Sequence, residues 1–488
     1  MTKLQSFYLR VNRLSGTLPP GWSSMTALTD LRVSGNQLTG TLPPEWSSMA
    51  ALVNLWVHEN EFSGSLPTQW KTMTKLQNFQ LHTNQLSGTL PPGWSSLTAL
   101  TDLRVNRNQL TGTLPPEWSS MAALVNLWVH ENKFSGSLPT QWKTMTKLQN
   151  FQLHTNQLTG ALPPEWSSMT ALTDFRFSTN QLTGTLPPEW SSMTALTEFY
   201  CQYNQLTGTL PPEWSSMTAL VNLWVQENKF SGSLPTQWRM MTKLQSFQLH
   251  TNHLTGTLPP EWSSMTALTD FQLHTNLLNG TLPPEWSSMT ALQSLYLSLN
   301  QLSGTLPPEW SSMPNLEVLR LVNNKLRGCI PESYTTVNFP SIRRIGLEYN
   351  VNMAGCVPPS WKDPQNALYS SYTDLRNSNS TLASENCDSS CTAGTERSGK
   401  SGLSTASIIG IVVACAVVVL GLLFLIIFLC CRRKHNKDDR DAEGSVTSSR
   451  ASVAESSDAA NSLAGGDDEG VQSQGSHDSR YSYYNDLY

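Results

Sequence analysis

Six histidines stand where they could act in pairs. His58 and His82, His130 and His154, and His250 and His274 are each separated by 24 residues, and each lies two residues before an asparagine of a regular series. If neighbouring copies of one strand carry them, each pair comes within ~5 Å. Two imidazoles at that range could hold a divalent metal, or could charge together in an acidic compartment. No carboxylate or thiol shares the column to complete a shell, so metal at His58 and His82 is the minor expectation. A solvated polar column is the main one.

A second column, four residues before each asparagine, carries larger side chains. It reads Tyr8, Arg32, Trp56, Gln80, Arg104, Trp128, Gln152, Arg176, Tyr200, Trp224, Gln248, Gln272, Tyr296 and Arg320. Tryptophan, tyrosine and arginine dominate the energetics of protein interfaces. Tyr8, Arg32, Trp56, Arg104, Trp128, Arg176, Tyr200, Trp224 and Tyr296 are therefore expected to contact a protein or glycan ligand. The competing reading is that flat side chains cover the neighbouring strands. Polar groups recur evenly instead of gathering a nucleophile, a base and oxyanion donors, so no enzyme and no cofactor is expected. Charged residues are only 14% of the 488, with a net charge of −5, which supplies no basic field for nucleic acid.

These columns exist because the chain repeats. Tryptophan recurs every 24 residues from Trp22 to Trp310, asparagine from Asn12 to Asn324, glycine from Gly16 to Gly328 and proline from Pro19 to Pro331. Within a unit, Leu28, Leu31, Val33, Leu38 and Leu42 surround Asn36, which matches leucine-rich-repeat spacing. The fold class expected is a right-handed solenoid of about fifteen coils, with one parallel β-sheet on its concave face and little helix. Leu31 and Val33 point inward from an extended segment while Arg32 and Ser34 point out. The Asn36 amide can serve backbone groups at the corner, Gly40 permits a turn closed to residues with a Cβ, and Trp46 and Met49 plug the back. Residues 1–72 and 73–144 are almost the same text, so part of the identity between coils reflects duplication.

Composition divides the chain into four parts. Residues 1–361 form the repeat ectodomain, with irregular capping coils from about 325. Residues 362–407 read as a Ser/Thr-rich stalk, 408–431 as an uncharged transmembrane helix, and 432–488 as a disordered cytoplasmic tail. Arg432, Arg433 and Lys434 after the apolar run place the carboxyl terminus inside, giving a single-pass plasma-membrane protein with the lipid bilayer as a partner. The first residues align with the interior of a repeat, so a leader and a cap are expected upstream. Cys329, Cys356, Cys387 and Cys391 gather where the period fails and are read as disulfides, Cys329–Cys356 and Cys387–Cys391 being the expected pairs among three connectivities. Cys201 replaces an inward residue and should be an inert core thiol. Asn279 and Asn379 fit the glycosylation sequon. Tyr484 and Leu487 frame a pattern of the kind that adaptor proteins read in endocytic tails.

The phrase Leu-Pro-Pro-Glu-Trp-Ser-Ser-Met-Thr-Ala-Leu, followed by Asn-Gln-Leu-Thr-Gly, resembles the repeat of the kinetoplastid promastigote surface antigen and proteophosphoglycan-like family. The likeness runs from Met1 to about Trp361 and includes the closing coil Gly-Cys-Val-Pro-Pro-Ser-Trp at Gly355–Trp361. It implies a surface glycoprotein that binds host or environmental molecules and takes part in attachment. Many members end in a glycolipid anchor, whereas here a basic stop and a long tail follow the apolar run. That departure favours a spanning adhesin, or alternatively an endocytic or signalling receptor.

Overall fold

Each unit begins with a three-residue strand whose middle residue turns inward. Asp30–Arg32, Asn54–Trp56 and Asn78–Gln80 pair in parallel, with Leu31 opposite Leu55 and Leu55 opposite Phe79. Fifteen such strands, from Ser6–Tyr8 to Arg344–Gly346, follow chain order in one parallel sheet. The computed structural model describes residues 3–378, Ser380 and Leu382. Met1–Ala393 forms one compact unit, and a second, Gly394–Tyr488, lies outside the described residues. The apolar segment 408–431 expected to span a membrane, the tail with Tyr484 and Leu487, Asn379, Cys387 and Cys391 also lie outside them. Among the described residues no helix is long and apolar enough to cross a membrane.

The corner asparagine does what its four hydrogen-bonding sites allow. The Asn60 amide donates to the carbonyls of Val33, Val57 and His58 at 3.1, 3.2 and 3.2 Å, and its oxygen accepts from the Leu38 N–H at 3.1 Å. Backbone groups that a tight corner would strand in the core are thereby satisfied. The residue before each asparagine is left-handed, with φ of 53° at Glu59, 56° at Thr83 and 54° at Arg107. Such a conformation costs a residue with a Cβ about 1–2 kcal/mol. Corner amides bonded to the next coil hold it, as in Thr83 N–H to Asn106 O at 3.0 Å. Gly40 has φ of 77°, and a Cβ there would sit 2.7 Å from the Thr17 methyl.

The return path runs through Pro43 into a short 3-10 turn, Pro44–Ser48, where a missing proline N–H costs nothing. Trp46 and Trp70 project from these turns into the core and stack at 6.2 Å, 4° from parallel. Each indole N–H also reaches back one coil, Trp70 Nε1 donating to Pro43 O at 3.0 Å. The same pattern closes the array, where Tyr334 replaces tryptophan and donates to Pro307 O at 3.0 Å.

Among the described residues, structure continues beyond Trp361 into the span that composition assigned to the stalk, as far as Asn377. The α-helix Tyr369–Asn377 lies against the last strand, with Leu368 and Leu375 buried. Ser371 Oγ accepts from the Ile345 N–H at 2.9 Å, and Arg344 donates to Asp374 at 2.8 Å. This helix covers the final strand's otherwise bare edge. Cys329 and Cys356 are each in a disulfide, while Cys201 is free and buried, its thiol pushed up by burial.

Candidate functional site

Alternation along each strand sends three residues to the concave face: those six, four and two places before the asparagine. In the Asn36 coil they are Asp30, Arg32 and Ser34. Arg32 donates from Nε and Nη2 to both oxygens of Asp30 at 2.8 Å, and its guanidinium lies 3.8 Å over the Trp56 ring and 5.1 Å from that of Tyr8. The duplicated block repeats this: Arg104 grips Asp102 at 2.9 and 2.8 Å and lies 3.9 Å over Trp128. In the next block Arg176 bonds Asp174 at 2.6 Å and lies 4.7 Å over Tyr200.

The aromatic column is therefore laminated rather than freely projecting. Trp56, Trp128, Trp224 and Tyr296 are half-buried, and Arg32, Arg104 and Arg176 are each neutralised by their own strand's aspartate. Tyr200 departs from the expected exposure. It is buried edge-on against Trp224 at 4.8 Å, its hydroxyl donates to Glu198, and burial followed by that carboxylate pushes its pKa up. Tyr8, in the first described coil, is 53% exposed. The acidic partners were missed in the sequence, although a carboxylate two residues before Arg32, Arg104 and Arg176 on an extended segment was the available signal.

Two indole N–H groups on this face have no acceptor. Trp224 Nε1 donates to Ser246 Oγ at 2.9 Å, but Trp56 Nε1 and Trp128 Nε1 are buried without a partner. In their coils the place of Ser246 is taken by Asn78 and Asn150, whose amides donate instead to Asn54 and Asn126 at 2.7 Å. An unmet buried donor is costly, about 1–3 kcal/mol, and rare in folded chains.

The histidine pairs meet as the period requires, but they are not a solvated column. Ring centroids are 4.4 Å apart for His58 and His82, 4.2 Å for His130 and His154, and 4.3 Å for His250 and His274, all nearly parallel. Burial, then the neighbouring imidazole, pushes His130 down to about 2, His250 to about 3 and His82 to about 4. Burial also takes His154 and His274 to about 4. The expectation that no carboxylate approaches is overturned at one pair: ligand atoms of His130, Glu131 and His154 lie within 4.8 Å of one another. Glu131 came from the corner position, whose left-handed backbone no glycine announced. Asn279 is exposed, in an isolated parallel bridge to Thr257 of the preceding coil.

A model of the leucine-rich repeat family matches residues 27–49, 195–217 and 291–313. The chain is built of leucine-rich repeats. No curated protein sequence matches it. Among solved structures, a TDR receptor superposes with a TM-score of 0.70 at 28% identity, covering 74% of this chain and 63% of that one. The plant peptide hormone receptor RGFR1, in complex with RGF2, gives 0.61 at 27% identity, covering 73% and 64%. A leucine-rich-repeat protein of Leptospira interrogans gives 0.58 at 29%, covering 70% and 84%. The leucine-rich-repeat chain thus spans less than two thirds of either receptor. Its solenoid resembles receptor ectodomains.

Proposed function

We propose that this leucine-rich-repeat array is the ligand-binding ectodomain of a cell-surface receptor or adhesin, and that its concave face takes an extended extracellular polypeptide. The carrying observation is the row of half-buried aromatic rings on that face, Trp56, Trp128, Trp224 and Tyr296. Partly exposed aromatic rings of this kind are the residue types that anchor interfaces, and a concave row of them suits an extended chain laid along it. The likeness to RGFR1, solved with a peptide hormone, supports the same choice. The repeat's resemblance to surface antigens supports a place on the cell exterior, with residues 408–431 as the membrane anchor.

A random peptide library selected against the full chain in lipid nanodiscs tests this. Selected peptides should bind Trp56→Ala/Trp128→Ala about tenfold or more weakly, because the truncations remove two aromatic anchors and a loss of ~1.4 kcal/mol is already a factor of ten. Undiminished binding to that variant and to Trp56→Ala/Trp128→Ala/Trp224→Ala would move the contact face elsewhere. Recovery of glycans and no peptides from parallel arrays would replace the ligand class.

A further inference from the structure

The three histidine pairs are alike in spacing and stacking, yet among the described residues only His130 has a carboxylate oxygen within 4 Å of a ring nitrogen, Glu131 at 3.9 Å. We propose that His130, Glu131 and His154 form a binding site for a divalent transition-metal ion, built on the concave face of the repeat array. Two imidazoles and one carboxylate are a donor set suited to zinc and its neighbours, with a fourth position left for water or an outside donor.

The donor atoms lie within 4.8 Å of one another, against the ~3.4 Å that a tetrahedral shell with ~2.1 Å bonds requires. Closing that gap takes ring rotation and a carboxylate swing, with no backbone movement. The rings are free to turn in this sense: Nδ1 of His130 and Nδ1 of His154 are both buried and without a hydrogen-bond partner. At the other pairs an anchor is present, His82 Nδ1 lying 3.2 Å from Thr83 Oγ1 and His250 and His274 lying 3.1 Å from Thr251 and Thr275.

Arg107 accounts for the difference between the duplicated blocks. Its Nε donates to both oxygens of Glu131 at 3.1 Å from the preceding corner, drawing the carboxylate to within 3.9 Å of His130 Nε2. In the earlier block the sequence around His58, Glu59 and His82 is nearly the same, but Gly35 stands where Arg107 would be. Arg107 is thus a positioning residue: it holds Glu131, and its charge is also felt at His130 and His154.

The test is zinc binding to the full chain after chelator treatment, read by equilibrium dialysis, with cobalt substitution for the visible spectrum. The expected result is one tightly held equivalent, with cobalt bands of an imidazole–carboxylate site. His130→Asn and Glu131→Gln should each weaken it by about tenfold or more, and His250→Asn should leave it unchanged. Gly35→Arg supplies the missing positioning residue and should raise the stoichiometry from one to two, a gain that misfolding cannot mimic. The proposal is overturned if the chain retains no zinc, if His130→Asn binds as well as the parent, or if His58→Asn removes as much zinc as His130→Asn.

Discussion

Acid should loosen the array first at its histidine pairs, and the His250–His274 pair allows the size to be worked out. In the unfolded chain both rings take up a proton as pH falls through about 6.5. In the native coils, burial and then the His274 charge hold His250 unprotonated down to about 3, and burial holds His274 down to about 4. Between these limits the unfolded state binds more protons, so stability is full above pH 6.5 and is lost as pH falls. At pH 5 the solution lies about 1.5 units below the unfolded value of each ring and still above both folded ones, which is worth about 2 kcal/mol per ring at 1.4 kcal/mol per unit. Because both rings are half-buried and keep an edge toward water, the pair should cost about 2–4 kcal/mol. In a linear array such a loss stays near the coils that carry it. Hydrogen exchange at pH 7.5 and pH 5, normalised to intrinsic rates, should show protection falling in 245–280 by a factor of roughly 30 or more. The variant His250→Gln/His274→Gln should lose most of that pH dependence while keeping its protection at pH 7.5. Equal protection of the parent segment at both pH values would refute the linkage, and so would an unaltered drop in the variant.

Three further expectations test the scaffold. Trp142→Ala removes a fully buried ring and its 2.9 Å bond to the Pro115 carbonyl, and should destabilise the adjoining coils by about 3–5 kcal/mol in denaturant-dependent exchange. Asn204→Ala strands the carbonyls of Phe177 and Cys201 and the Leu182 N–H, bonded at 3.1, 3.0 and 3.0 Å, so a loss of about 3 kcal/mol should appear in the same measurement. Thr179→Asn relieves an exposed β-branched residue held at φ of 54°, and should raise local stability by about 0.5–1 kcal/mol, seen as slower exchange in that corner.

How much of this was legible depended on whether the repeat itself carried the signal. A strand, a corner and a plug that recur every 24 residues must stack on themselves, so the inward leucines, the asparagine corner and the buried tryptophans followed from period and side-chain chemistry. The corner's left-handed backbone did not, because it is occupied by Thr83, Arg107 and Glu131 and is stabilised by hydrogen bonds from the next coil. Nor did the helix Tyr369–Asn377, whose sequence Tyr-Ser-Ser-Tyr-Thr-Asp-Leu-Arg-Asn has the polarity of a linker. It is ordered by the strand edge it covers, through Ser371, Asp374 and Leu375.

The concave face sets a different problem, because its character arises between coils. Arg32 and Trp56 are remote in sequence, and register alone puts a guanidinium on an indole and leaves one face of the ring fewer neighbours to gain. The two duplicated blocks sharpen the point. They share Trp-x-His-Glu and the following Gln-x-His, and they reproduce the same Arg–Trp stack and the same unmet indole donor, yet only the second brings a carboxylate onto its histidines. The distinguishing residue, Arg107 against Gly35, sits one coil upstream of the acid it holds. In an array of near-copies, shared residues therefore specify the scaffold, and chemistry is set by the few positions where adjacent copies disagree.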